Sequence, residues 1–182
     1  ICIRDSGIPN CASLESAKKG NIPIDKTIEN GQQFILNDRD YPWIINAIST
    51  PGHVKGHLCY YETSTQTLIA GDMISSEGPV VIDPDEDGSM SEYMDSLNKL
   101  NKLKIDLLIP GHGVPWFYLP GNIIIDKLIQ HRKQREEKIL QNINKGITTF
   151  DELLLKSYDD IPQERIILAR QQLKAHLFDL KQ

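Results

Sequence analysis

The sequence predicts an α/β fold followed by a helical appendage, and three observations predict it. Short β-rich runs alternate with a helix-periodic segment as far as about residue 122. Beyond Pro120-Gly121 only helical periodicity remains. The charge changes at the same place: residues 1–122 carry 9 Lys+Arg against 16 Asp+Glu, a net of −7, whereas 123–182 carry 11 against 9, a net of +2. Two parts with different surfaces are therefore expected, 1–122 and 123–182.

Taken in order, the chain opens with mixed turn signals and a weak helical stretch around Ala12–Lys19. Ile22, Ile24 and Ile28 alternate loosely with polar residues, and Asn30-Gly31 is a turn signal before the short strand Phe34-Ile35-Leu36. Trp43–Ile48 reads as a strand that delivers the chain into Thr50-Pro51-Gly52-His53. Leu58–Tyr61 and Thr67–Ala70 flank a polar loop and read as a hairpin whose second strand ends at Asp72. The run Asp83-Pro84-Asp85-Glu86-Asp87 lacks the Gly and distal Glu of an EF-hand, so a solvated acidic loop is expected. Ser89 and Glu92 match a capping box, and Met90, Tyr93, Met94, Leu97, Leu100 and Leu103 follow at helical spacing, which makes the methionines core-facing. Ile105–Ile109 is too short for a helix and reads as the strand leading to Pro110-Gly111-His112-Gly113. In the appendage, 123–144 is a long amphipathic helix ended by Gly146. Thr149–Glu152 opens a second helix with another capping box, and Asp160-Ile161-Pro162 opens a third.

Three of these turns carry side chains that bind metals. His53 follows Pro-Gly, Asp72 follows Gly at the end of an apolar run, and His112 follows Pro-Gly after another. A Gly or Pro beside each side chain lets the backbone bend sharply as a strand ends, so the group is exposed while the strand holds it rigidly. Two imidazoles and a carboxylate suit a zinc-like divalent ion. Singly, each is an ordinary loop residue; in the order TPGHxxGH, then GD, then PGHG, they resemble the metallo-β-lactamase superfamily of metallohydrolases.

The resemblance runs from about Ile22 onward and implies an αββα sandwich, two sheets covered by helices. His53 would complete a first metal site, Asp72 would bridge two metals as the catalytic carboxylate, and His112 would complete the second. One or two Zn²⁺ ions, or other divalent metals, would lower the pKa of water to about 7 for attack on an ester, thioester, lactam or phosphodiester. The family's HxHxDH loop is absent, since no His precedes His53. With Ile1 in place of Met, the expectation is an N-terminally incomplete chain in which each metal has two protein ligands rather than three, and hence impaired activity or a non-catalytic role in packing or partner binding. His57 is expected to make a structural hydrogen bond beside His53. The phrases His131-Arg132-Lys133-Gln134-Arg135-Glu136 and Ala175-His176-Leu177 look like the winged-helix-like tail of the branch that holds mitochondrial endoribonucleases and many bacterial hydrolases. The β-wing would fall beyond Gln182. In that branch the tail forms part of a substrate groove or a dimer contact, and its histidines are read as surface or helix-packing residues.

Composition narrows the function classes. The chain has 40% hydrophobic and 25% charged residues, enough for a buried core. No apolar run approaches the roughly 18 residues of a membrane span. An acidic balance gives no support by itself to nucleic-acid binding, so RNA stands beside a small molecule as substrate only through the resemblance. Cys2, Cys11 and Cys59 form neither CxxC nor an even set, so no disulfide framework is suggested, and a cytoplasmic setting is the default expectation.

Overall fold

Seven strands and five helices follow one another through residues 11–21, 23–38 and 41–180, which the computed structural model describes. The expectations for Cys2 and Ile22 lie outside those residues. A two-residue parallel pair, β1 (Cys11–Ala12) with β2 (Lys26–Thr27), brackets helix α1 (Leu14–Gly20). Ser13 caps α1 by accepting from Ser16 N, and Asn21 closes it in the left-handed conformation.

The main sheet has the order β3-β4-β5-β6-β7, formed by β3 (Gln33–Asp38), β4 (Tyr41–Ser49), β5 (Leu58–Glu62), β6 (Thr67–Ser75) and β7 (Leu107–His112). The first three pairings are antiparallel, as short connections allow. The β6–β7 pairing is parallel, and a parallel pairing needs a crossover. Helix α2 (Met90–Leu100) supplies it, and Ser89 accepts from Glu92 N as the capping box requires. The hairpin β5–β6 is locked by Glu62, whose carboxylate accepts from the backbone and side chains of Ser64 and Thr65.

Strand β6 does not end at Asp72. It continues to Ser75 through an irregular stretch: Gly71, at φ +52°, pairs with Pro110, and the ladder to β7 resumes only at Ser75 and His112. Asp72 therefore sits in a bulge rather than at a strand end, because Gly71 breaks the regular pleat there.

The tail consists of α3 (Gly121–Asn144), α4 (Phe150–Ser157) and α5 (Ile166–Asp179), with no strand among its described residues. Gly146, at φ +89°, follows the end of α3 as a C-terminal stop. Two starts differ from expectation. Thr149 precedes α4 without a side-chain capping bond, and α5 begins at Ile166 after a 3-10 turn, Gln163–Arg165. The reason at the second start is that the Asp160 carboxylate is engaged by Arg135 instead of capping a helix.

Two apolar clusters hold these parts. The larger joins Leu68, Met73 and Ile74 of β6 to Tyr93 and Leu97 of α2, and takes in Ile125 and Ile129 of α3 and Ala175 of α5. Each large side chain removed from water there contributes about 1.5–3 kcal/mol. Met90 is buried as expected, and Cys59 is fully buried, with its thiol pushed up to about 12 by that burial. The smaller cluster lies within the tail, around Ile139, Leu153, Leu154 and Leu173. No helix among the described residues is long and apolar enough to cross a membrane.

Candidate metal centre

The turn between β4 and β5 carries His53, and α2 holds it in shape. Ser96 Oγ donates to Pro51 O at 2.7 Å, Ser89 N donates to Gly52 O at 2.8 Å, and Lys99 Nζ donates to Ser49 O at 2.7 Å. Gly52 has φ +130°, and a Cβ there would stand 2.3 Å from the Tyr93 backbone, so only glycine lets α2 approach this closely. On the other side of the turn, Ser13 Oγ and Ser16 Oγ at the start of α1 donate to Gly56 O at 2.6 and 3.1 Å.

His53 Nδ1 lies 2.8 Å from Val81 O. A carbonyl only accepts, so Nδ1 carries the proton and Nε2 is left with its lone pair free for a ligand. His57 makes the structural hydrogen bond expected of it, Nδ1 to Thr50 Oγ1 at 2.8 Å. Its Nε2 lies over the Gly71 backbone, where an added Cβ would stand 2.8 Å away. Burial holds the His57 imidazole below its ordinary value, the neighbouring Asp72 charge opposes this, and His53 adds to it. Burial thus favours the neutral ring, which lies against the Gly71 backbone.

Asp72 and His112 meet across the β6–β7 boundary, with Oδ1 and Nε2 3.2 Å apart and both side chains about half or more exposed. Gly111 makes this approach available: a Cβ there would stand 2.3 Å from Asp72 Oδ1 and 2.7 Å from Gly71 C. The following turn is fixed by Ser76, whose backbone N–H donates to His112 O at 3.0 Å and whose Oγ accepts from Val114 N at 2.7 Å. Gly113, at φ +87°, leaves the room that Ser76 Oγ occupies.

Of the three residues that the sequence marks, the structure thus brings Asp72 and His112 into direct contact. His53 lies, like His57, in the turn between β4 and β5. Among the described residues, no group of three or more His, Cys, Asp or Glu side chains is gathered as a metal site. The residues present fit zinc in kind: an imidazole with a fixed tautomer, a second imidazole and an accessible carboxylate are its usual nitrogen and oxygen donors. Sequence reasoning missed Ser76 and Val81, which hold the turns of His112 and His53. The turn-rich stretch Ser75-Ser76-Glu77-Gly78-Pro79 was the available signal.

Comparison with known proteins places this geometry in a family. The curated lactamase-like protein nscB of Arthroderma gypseum is 31% identical over 154 residues, which are 77% of this chain and 46% of that protein. The chain spans about half the length of the curated relatives it matches. Among solved structures, the metallo-beta-lactamase family protein TTHA1429 of Thermus thermophilus aligns with a TM-score of 0.67 at 20% identity, over 93% of this chain and 58% of that one. A beta-lactamase domain protein of Burkholderia ambifaria aligns at 0.68 and 20%, over 87% and 47%. At that identity these two show the fold. The family model of the metallo-beta-lactamase superfamily matches residues 12–112, a span that ends on the last of the three turn-borne residues, and the chain belongs to that superfamily.

Proposed function

We propose that the chain acts as a zinc-dependent hydrolase, with His53, Asp72 and His112 as ligands of one or two ions. The observation that supports this best is the contact of the Asp72 carboxylate, in the bulge of β6, with the His112 imidazole at the end of the parallel strand β7, 3.2 Å apart and open to solvent. Zinc, when bound, supplies a Lewis acid that polarises the carbonyl or phosphoryl centre and acidifies water. The chain's own residues do the positioning. Val81 O fixes the tautomer of His53, Thr50 orients His57 against Gly71, and Ser76 holds the turn behind His112. An ester, thioester or lactam is the substrate class, with a phosphodiester as the other candidate.

The test is zinc content by elemental analysis, together with zinc-dependent hydrolysis of p-nitrophenyl acetate, acetyl-thiocholine and bis-p-nitrophenyl phosphate. Asp72→Ala is expected to lower zinc affinity and hydrolysis by at least about 10–100-fold, since loss of even a ligand's supporting group costs that much. Hydrolysis that survives Asp72→Ala unchanged would place the chemistry elsewhere. A second reading, a chain that serves partner binding without catalysis, is favoured by the exposed apolar residues Ile35, Leu36 and Trp43 at one edge of the sheet. Absence of zinc-dependent turnover on all three substrates supports that reading.

A further inference from the structure

Between the end of the sheet and the helical tail lies a cavity of about 480 Å³, the size of a small-molecule site. Its walls are mainly apolar and include Trp116, Ile124, Leu128 and Leu168. Arg132 lines it at 5% exposure. That guanidinium donates to Gln172 Oε1 and to Val80 O, both neutral acceptors, and stacks 5.3 Å from the Tyr93 ring centroid. Among the described residues no carboxylate pairs with it, whereas the neighbouring Arg135 is held in a fork by Asp160. Buried charge is ordinarily paired, so Arg132 is a buried cation without a carboxylate partner among the described residues, Asp160 of the same wall being taken by Arg135.

A second observation points the same way. Tyr158 lines the cavity at 6% exposure, and its hydroxyl is buried without a hydrogen-bond partner among the described residues. Burial pushes the phenol up to about 12, so it keeps its proton and remains a donor. Lys127 and Arg165 also line the cavity, and neither is paired with a carboxylate among the described residues. In a chain of net charge −5, this cavity concentrates unpaired positive charge over an apolar floor.

We propose that the cavity binds a small organic carboxylate, with its charged end beside Arg132 and Tyr158 and its carbon skeleton against Trp116, Ile124 and Leu128. The ligand supplies the counter-charge that Arg132 lacks and the acceptor that Tyr158 lacks. A compact apolar-walled cavity with cationic side chains along it suits a carbon skeleton charged at one end better than a polyanionic strand, which needs an extended groove. The cavity also adjoins the candidate metal centre, because its wall contains Val81 and Ser76, which hold the turns of His53 and His112. Hydrolysis of an acyl substrate breaks the C–O, C–S or C–N bond, adds water across it and leaves a carboxylate. Identifying the bound acid with the acyl part of the substrate rests on the hydrolase reading; the binding site does not.

The experiment reads binding alone. Trp43 and Trp116 are the chain's two tryptophans, so in a Trp43→Phe background the fluorescence reports on the cavity wall. Decanoate, decanol and decyl phosphate are titrated into the full 182-residue chain with a chelator present, so that no metal takes the carboxylate. Saturable decanoate binding is expected, with decanol at least about tenfold weaker, as for loss of a charge-assisted hydrogen bond. Lys127→Glu with Arg165→Glu, both on the exposed rim, is expected to weaken decanoate but not decanol. Arg132→Gln is expected to abolish the preference for the acid, and Ile124→Trp, which narrows the cavity, keeps the test open if Arg132→Gln fails to fold. Equal affinity for decanoate and decanol, no saturable binding, or a preference for decyl phosphate over decanoate overturns the proposal. Because no metal is present, failure of the hydrolase reading leaves this result unchanged.

Discussion

The three metal-ligand candidates depend on residues that carry no functional group. Gly111 is the clearest case, since its missing side chain is what lets β7 close on Asp72. Gly111→Ala would drive a methyl group to 2.3 Å from Asp72 Oδ1 and 2.7 Å from Gly71 C, and the second of these is backbone that can give way only by shifting β6. Overpacking of this kind costs about 1–3 kcal/mol. The expected outcome is a stability loss of that size in urea unfolding together with a fall in zinc affinity like that of Asp72→Ala. A variant that keeps both would show that the turn has slack that these distances exclude. The ligand candidates were legible in the sequence because each is announced by Gly or Pro beside it. Their supports were not, since Val81 acts through its backbone carbonyl, which no side chain advertises, and Ser76 is one serine among many.

At the scale of elements, periodicity carried most of the reading. The strand at 43–48, the hairpin, α2 with its Ser89 cap, and the three tail helices all appear, because their alternation and capping signals are local. What failed lies at the ends of elements: β6 runs past Asp72 because pairing with β7 decides that end, and Thr149 makes no side-chain capping bond. The edge strand β3 carries a further consequence. It pairs only with β4 among the described residues, and Ile35 and Leu36 are 60% and 56% exposed, opposite Ile44 and Trp43. An exposed apolar edge is a template for pairing with another chain. Self-association that rises with concentration is expected by light scattering, and Leu36→Lys should suppress it while leaving the thermal midpoint within a few degrees. Association unchanged in that variant would move the contact to another face.

At the scale of the whole molecule, the tail is joined to the sheet through buried polar groups as well as apolar ones, and this sets how the fold responds to acid. His176 on α5 is 1% exposed, with neither ring nitrogen hydrogen-bonded among the described residues. Burial, then the charges of Arg132 and Arg135, then His131, hold its pKa down to about 3 from an ordinary 6.5, while the Glu136 carboxylate at 3.7 Å offers little relief. A histidine whose pKa is lower in the folded state stabilises the fold fully above pH 6.5. As the pH falls below that value the unfolded chain takes up a proton that the native chain refuses. Stability then declines by up to about 1.4 kcal/mol per pH unit for this one group until the folded value is reached. His57 and His131 are shifted in the same direction and add to the loss. Asp160 and Glu62, held at about 2, act only at more acid pH, near and below the ordinary carboxylate range. Urea unfolding at pH 7.5 and at pH 5.0 is therefore expected to give a markedly lower midpoint at pH 5.0. His176→Leu, which removes the titrating ring from a buried position where neither of its nitrogens is hydrogen-bonded among the described residues, should recover a large part of that difference while changing little at pH 7.5. If wild type and His176→Leu lose stability in parallel between the two pH values, the acid sensitivity lies outside the junction of tail and sheet.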